Sequence, residues 1–311
     1  EYGGLPFSFQ DIFGKYSIES KGGNRVNLFG FNFNDAVRFA GDKTISWQSN
    51  GYGADFLVIP ASSGTLIEAH LAQSNYKIQS TELLNRPRQS AIDGFNGGLD
   101  FTYLLRKYDE FKYGLEFVGY RTDYEYTNSV GRTLDQVQNT TEIGGYMEYK
   151  RQQGRWLVQP GLRLHNYGSL AIVRVEPRIG LKFNATEYLR FKGSAGRYSQ
   201  NLVAANSDRD VVNLFYGFLS GAGDLPNQFD GTPVVNSLQT ANHYVLGTEL
   251  NLSKGFKIEL EGYIKQFDQI TNINRYKIYD DIPVYEDQDE LLRKDFMIER
   301  GLARGIDALL T

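Results

Sequence analysis

Three histidines, an acidic run and a group of loop aromatics are the residues of this 311-residue chain whose types could do chemistry. His165 and His243 fall near the ends of expected strands. A histidine works as a general base only with a carboxylate or nucleophile within hydrogen-bond reach. Asp208 and Asp210 precede His243, but nothing in the sequence fixes their geometry. The plainer reading is polar wall or loop residues, and His70 beside Glu68 reads the same way. No catalytic residue is assigned. Asp280, Asp281, Glu286, Asp287, Asp289 and Glu290 offer carboxylate oxygens of the kind calcium takes. Their spacing is not that of an EF-hand loop, so a solvated acidic loop is expected, with no metal site and no cofactor. Tyr216, Phe218 and Phe229 stand among Gly221, Asn227 and Gly231 as candidate ligand-binding residues. Loop aromatics stack on sugars, peptides or siderophores, or else pack a loop onto its support; both readings stand. Asp208 to Leu219 is expected to form a short helix with Val211, Val212, Leu214, Phe215 and Phe218 as its apolar stripe.

The elements that must position these residues are strands. Phe256, Ile258, Leu260, Gly262 and Ile264 alternate with Lys257, Glu259, Glu261, Tyr263 and Lys265. Successive side chains of a strand point to opposite faces, so one face is apolar and the other charged. Phe111, Tyr113, Leu115 and Phe117 repeat the pattern against Lys112, Gly114 and Glu116. Phe95, Leu99 and Phe101 do so against Asn96, Asp100 and Thr102. About thirteen such segments are expected, near 10–20, 25–39, 43–59, 65–80, 91–106, 111–126, 140–151, 155–165, 172–184, 187–199, 241–253, 256–275 and 303–311. Their connections alternate short and long, with long ones near 200–240 and 276–302; only 40–42 breaks the rule. Ten-residue segments of alternating hydropathy, short turns at one end and long loops at the other define a transmembrane antiparallel β-barrel. Pro160 and Pro177 interrupt strand readings and are expected to mark bulges.

Composition agrees. The 33 glycines exceed the roughly 22 that an average 7% would give. The aromatic share is 14%, and the net charge of -4 gives no basic excess for a nucleic-acid partner. Mean hydropathy is -0.42, and no apolar run is long enough for a transmembrane helix. There is no cysteine, hence no disulfide or thiolate site. On the charged faces, Arg174, Glu176 and Arg178 share one side of their strand, as do Lys257, Glu259 and Glu261. Buried charge is costly unless it meets water or a partner, so these residues are expected to face a lumen.

Several segments resemble the TonB-dependent outer-membrane receptors, in the Bacteroidota form. They are Pro6 to Lys15, Trp47 with Gly51-Tyr-Gly53, Gln159-Pro-Gly-Leu-Arg163 with Glu176-Pro-Arg-Ile-Gly180, Gly193 to Asn201, Ala241 to Leu250, and Gly301 to Asp307. The resemblance implies a 22-stranded barrel, of which residues 1–311 supply about thirteen strands, without the plug domain and with both ends cut. It implies an outer-membrane location in a Gram-negative bacterium and contact with outer-membrane lipid and lipopolysaccharide. It further implies uptake of a bulky nutrient or metal chelate, driven by TonB through the plug, and no enzymatic activity. The alternative is a barrel serving as a scaffold subunit, with a surface lipoprotein or other outer-membrane complex subunits as partners. A barrel hydrolase is a second alternative, decided by whether His243 meets a carboxylate.

Overall fold

The computed structural model describes residues 6–39, 43–61, 63–81, 88–106, 109–128, 130–206, 215–253 and 255–311. The first ten strands are β1 (Phe7–Glu19), β2 (Arg25–Phe39), β3 (Lys43–Val58), β4 (Thr65–Thr81), β5 (Arg88–Arg106), β6 (Asp109–Thr127), β7 (Thr133–Gln153), β8 (Trp156–Tyr167), β9 (Ile172–Asn184) and β10 (Leu189–Gln200). Two small hairpins follow, β11 (Leu202–Asn206) with β12 (Tyr216–Ser220) and β13 (Gln228–Phe229) with β14 (Thr232–Pro233). The chain then returns as β15 (Gln239–Ser253), β16 (Phe256–Ile273) and β17 (Phe296–Leu310), with a one-turn helix, α1 (Glu290–Arg293), before β17.

Thirteen strands make one antiparallel sheet in the order β1 to β10, β15, β16, β17. β1 and β17 do not pair with each other, so the sheet is open. Within the sheet consecutive strands pair, as hairpin-connected strands do, with β10 passing over the two small hairpins to pair with β15. The thirteen expected strands are all present, several of them longer than anticipated. The expected 127–139 connection is mostly strand, with the Asn128 N–H donating to the Arg132 carbonyl where β6 turns to β7, and the 276–302 connection ends where β17 begins at Phe296. Strict length parity is therefore weaker than expected. The two long connections, 201–238 and 274–295, nonetheless leave from the same end of the sheet, which we call the long-loop end. The 40–42 connection lies outside the described residues.

Neither proline carries a bulge. β7 and β8 keep one register on both sides of Pro160, and only the pairs at Tyr149 and Lys150 are missing. At Pro177 the β9–β10 ladder stops, its last pair being Arg178 with Gly196. A proline lacks the N–H a ladder needs, so it removes pairs without inserting a residue. The register shifts lie elsewhere, between Leu104 and Arg106, Thr240 and Ala241, Asn251 and Ser253, and Phe267 and Ile270.

The long connection 201–238 folds back over one face of the sheet, which defines the inner face. Ser90 accepts from the Phe218 N–H at 2.8 Å, and Thr140 donates to Ser220 at 3.0 Å. Val203, Phe215 and Leu219 pack there against Ile45, Ile78, Tyr124, Leu134 and Phe296. The expected helix over 208–219 is corrected. Tyr216–Ser220 is a strand paired with Leu202–Asn206, and residues 207–214 lie outside the described ones. Phe215 and Leu219 are buried with Gly217 between them, a period of two rather than 3.6.

The outer face is an apolar belt. Leu115, Phe117, Leu260 and Ile264 are all exposed on it. Rings there lie over glycines across the ladder: Phe117 pairs with Gly97 and Phe95 with Gly119. A Cβ on Gly97 would collide with the Phe117 ring, so the missing side chain is what seats the ring. Above the belt the same rows turn to Asp93, Arg121, Asp123 and Glu125, which marks where hydrocarbon contact ends.

Candidate binding surface on the inner face

The inner face of β9, β10, β15 and β16 is a ladder of ion pairs. Strand pairing brings Arg190 opposite Glu249 and Glu249 opposite Glu259. Glu249 is 8% exposed and takes Arg190 at 2.5 Å, Lys182 at 3.6 Å and Lys257 at 3.7 Å. Lys192 bridges Glu259 at 2.8 Å and Glu261 at 2.7 Å, and Lys257 also meets Glu259. Two like charges opposed across a ladder repel; the interleaved lysines and arginine make the Glu249–Glu259 pairing tolerable. Lys257, Glu259 and Glu261 thus stand on the inner face, bound mainly to one another.

Arg174, Glu176 and Arg178 share that face one strand further on. Glu176 is 3% exposed. It accepts from the Ser199 N–H at 2.9 Å and Ser199 Oγ at 2.5 Å, and from Arg178 at 3.0 Å. The position explains the bonds. Pro177 ends the β9–β10 ladder, and the Glu176 carboxylate takes the place of the strand carbonyl Ser199 would have used. Arg178 lies 4.6 Å from the Tyr198 ring. Arg174 makes no ion pair among the described residues, and its Nε–H is buried without an acceptor.

The histidines divide. His243 lies 4.5 Å from the Tyr198 ring and 6.3 Å from Phe267, and meets no carboxylate among the described residues. His165 does meet one: its Nε2 is 3.1 Å from Glu142, which also accepts from the Tyr120 hydroxyl at 2.9 Å. Its ring stacks on Tyr167 at 4.1 Å. The Tyr167 hydroxyl is 3.0 Å from Ser199 Oγ, whose own proton goes to Glu176. His165 is therefore a tethered wall residue, not the base of a hydroxyl nucleophile.

At the long-loop end the two long connections are tied together. Lys294 donates to Asp224 at 2.9 Å and Asp281 at 2.6 Å, and Asp224 also accepts from the Asp295 N–H at 3.0 Å. The Asn227 N–H donates to Glu290 at 3.1 Å, and Asp289 caps α1 by accepting from the Leu291 N–H. Arg293 also pairs with Asp281. Arg132, on the β6–β7 turn, reaches Asp280 at 2.9 Å and the Ile278 carbonyl at 2.9 Å. This second connection therefore runs from β16 and β17 to β6 and β7, strands with β8, β9, β10 and β15 between them. The acidic run is not simply solvated: Asp280, Asp281 and Glu290 are tied to Arg132, Lys294 and Asn227, while Glu286 and Asp287 are exposed. The Lys294 hydrogen bond, with Arg293 beside it, outweighs partial burial and draws the Asp281 carboxyl down to about 2. Burial works against the Lys294 ammonium, but its bonds to Asp281 and Asp224 prevail and hold its pKa above the ordinary value.

Two of the three loop aromatics have side-chain partners, on different elements. Phe218 meets Tyr76 edge-on at 5.9 Å, on the support beneath the loop. Phe229 ends β13, under Arg300, whose guanidinium lies 5.4 Å from the ring and 2.8 Å from Asp230. Asp230 and Gly231 have φ of 48° and 72°, the left-handed pair of a two-residue hairpin turn, so the Asp-Gly dipeptide was a readable signal. Tyr216 opens β12, paired through its backbone with Asn206.

Sequence reasoning missed an inner-face aromatic patch. Phe13 pairs with Phe31, and Phe29, Phe31 and Phe33 stand opposite Gly53, Gly51 and Ser49. A Cβ on Gly53 would meet the Phe29 ring at 2.6 Å. These rings share the face of Ile45 and Trp47, against which the loop packs.

No family model matches the chain, and no curated protein matches it. Solved structures do. The ferric enterobactin receptor PfeA of Pseudomonas aeruginosa, as a point mutant, superposes with a TM-score of 0.70 at 12% identity, over 98% of this chain and 49% of that one. The siderophore receptor PirA of the same organism gives 0.63 at 12% identity, over 98% and 53%. The hemophore receptor HasR of Serratia marcescens, in complex with its hemophore HasA and heme, gives 0.66 at 12% identity, over 98% and 52%. The fold is that of a receptor β-barrel wall. The chain spans about half the length of these receptors, and at this identity the likeness carries the fold alone.

Proposed function

We propose that the chain is part of the barrel of a TonB-dependent outer-membrane receptor that takes up a bulky nutrient or metal chelate. One observation carries the reading. A receptor-type barrel wall has an apolar outer belt, a charged inner face and two interlocked long loops over one end, the arrangement a gated passage requires. The belt faces hydrocarbon, lipopolysaccharide lies against its long-loop edge, and the long-loop end is extracellular. Tyr216, Phe218 and Phe229 belong to the loop that meets cargo or a capping partner. The inner-face charges, Arg174 with its buried, unpartnered Nε–H among them, line the route. TonB acts through a plug supplied by the rest of the protein, whose barrel would have 22 strands in the Bacteroidota manner.

The test is uptake by cells whose copy of the full-length protein can be deleted. Iron-loaded siderophores, heme and larger nutrients are supplied singly as the sole source, with and without functional TonB. The reading expects one substrate class to depend on both the receptor and TonB. Full uptake of every class without the receptor, with stable co-purification of a surface lipoprotein or secretion subunit, would favour the scaffold role.

A further inference from the structure

The outer belt is not evenly filled. Across β5 to β8 it holds an apolar recess of about 570 Å³, walled by Leu99, Phe101, Tyr113, Met147 and Leu164 among others. Strand pairing shows how it arises. Leu99, Leu115, Gly145 and Leu164 oppose one another across the four strands, so a glycine stands in a row of leucines. The next row towards the short-turn end is Phe101, Tyr113, Met147 and Leu162. There the Phe101 and Tyr113 rings stack at 5.0 Å, and Phe111 lies 5.6 Å from Tyr113. Beyond it the rows change chemistry. Tyr103, Phe111 and Tyr149 form one, and Arg106, Asp109 and Arg151 the next. Tyr149 donates its hydroxyl proton to Asp109 at 3.2 Å, and Asp109 is buried. Arg106 and Arg151 are exposed and make no ion pair or hydrogen bond among the described residues. Two arginines against one carboxylate leave this row a single positive charge. One row further, Trp156 stands opposite Gln153, with its ring 4.5 Å from Phe183. Tyrosine and tryptophan gather where hydrocarbon meets headgroups, so the arginines stand at headgroup height.

We propose that the recess seats an acyl chain of one glycerophospholipid of the periplasmic leaflet, whose phosphodiester is held by Arg106 and Arg151. The inference rests on the barrel reading above, which puts this face in hydrocarbon and the short-turn end in the periplasm. The depths agree. Gly145 lies six residues from Arg151, about 20 Å along a strand and about 14 Å in depth at a tilt of about 45°, against about 15 Å for half of the hydrocarbon core. A lipid with its phosphate at the arginine row therefore runs its chain through the recess within one leaflet. Arginine forks match phosphate oxygens in geometry and charge. Asp109 opposes a second negative charge, which favours a singly charged diester over a dianionic monoester. Lipopolysaccharide is placed at the opposite edge of the belt.

The test titrates the full-length protein, stripped of lipid in detergent, with palmitoyl-oleoyl phosphatidylglycerol and reads binding by native mass spectrometry. One lipid should bind ahead of the rest. The matching diacylglycerol, with the same tails and no phosphate, should bind about tenfold more weakly. Arg106→Gln with Arg151→Gln should abolish that preference. Gly145→Leu should weaken both lipids, because it fills the recess; its Cβ meets only a Leu115 methyl, at 3.3 Å, so the fold accepts it. Gly262→Leu, on the outer face of β16 with no atom nearer than 4.0 Å to an added Cβ, should change neither. Heat-modifiable gel mobility confirms that each variant is folded. Insertion of the parent into vesicles of phosphatidylethanolamine and phosphatidylglycerol tests the barrel reading separately, and failure to insert would overturn that reading and the lipid seat together. A parent that inserts but binds no first lipid, shows no preference for the phosphate, or holds lipid equally well as Gly145→Leu would overturn the lipid seat alone. So would a dimer that Gly145→Leu splits with lipid binding unchanged, since the recess would then be a contact between copies.

Discussion

Two stretches of the same inner face solve the same packing problem with different chemistry. On β2 and β3, Phe29 and Phe31 lie over Gly53 and Gly51, so rings fill the space left by absent side chains. On β10, β15 and β16, Glu249, Glu259, Lys192 and Lys257 interleave, so charges fill it. Both sets obey one alternation rule, since opposed residues of an antiparallel pair share a face. The rule fixes which residues look inward and leaves open what they are. One inner face thus presents stacking surface on one stretch and charge on the other.

The placement of the ionic stretch rests on its reverse side facing hydrocarbon, and that is where the largest effect is expected. Leu260→Arg puts a charge into the belt and should cost about 2–4 kcal/mol near the midplane. Urea unfolding from lipid vesicles measures it. A neutral result would reverse the facing of β16 and with it the assignment of Lys257, Glu259 and Glu261 to the interior.

Within the ionic stretch, Glu249→Gln leaves Arg190, Lys182 and Lys257 without their shared carboxylate. The expected loss is about 1.5–3 kcal/mol, the worth of hydrogen bonds to a charged group, reduced by whatever water reaches the trough. It should shrink at 1 M salt, where the Debye length is about 3 Å. The aromatic stretch makes the contrasting case. Gly53→Val drives side-chain atoms into the Phe29 ring and the Leu71 carbonyl, 2.6 and 2.8 Å from an added Cβ. Overpacking of this kind costs about 1–3 kcal/mol, and salt should not change it. Gly30→Val, on the outer face of the same ladder, has no contact closer than 3.6 Å and should be nearly silent. Equal salt dependence for Glu249→Gln and Gly53→Val would erase the distinction between the two stretches.

The ionic stretch was legible in the sequence and the aromatic one was not, for a physical reason. In Phe256 to Lys265 one register is apolar and the other charged, so only one assignment buries no bare charge. In β2 both registers are largely apolar: Val26 and Leu28 face out, while Phe29, Phe31 and Phe33 face in. Alternation alone cannot choose between them; the loop packed over the inner face does. The same limit explains the helix expected over 208–219, where closely spaced apolar residues fit a helix stripe while the hydrogen-bond partners that decide, Leu202–Asn206, lie a loop away. The residues of β7 before 140 and of β17 before 303 read as loop because their charges and amides resemble turns until a partner strand pairs with them. The Arg132–Asp280 and Asp224–Lys294 ties join residues 148 and 70 positions apart, a pairing no local pattern predicts.

Those ties give the smallest expected effect and the sharpest contrast with the aromatic stretch, because they titrate and rings do not. The Asp281 carboxyl has a pKa of about 2 in the folded chain, below its ordinary 3.8. A depressed carboxyl stabilises the folded form fully above the ordinary value and loses that contribution as pH falls through the folded one. Lys294, raised by the same contact, stays charged throughout this range and adds no acid dependence of its own. The lid should therefore hold at pH 5 and loosen between about pH 4 and pH 2. Amide hydrogen exchange over 276–295, corrected for its intrinsic pH dependence, should rise across that window while β2 and β3 stay protected. Asp281→Asn should show the raised exchange already at pH 5, because an amide keeps the shape but not the charge that Lys294 and Arg293 meet. If the variant and the parent exchanged alike at both pH values, the second connection would be held by its other bonds, and the ionic latch at Asp281 would add nothing.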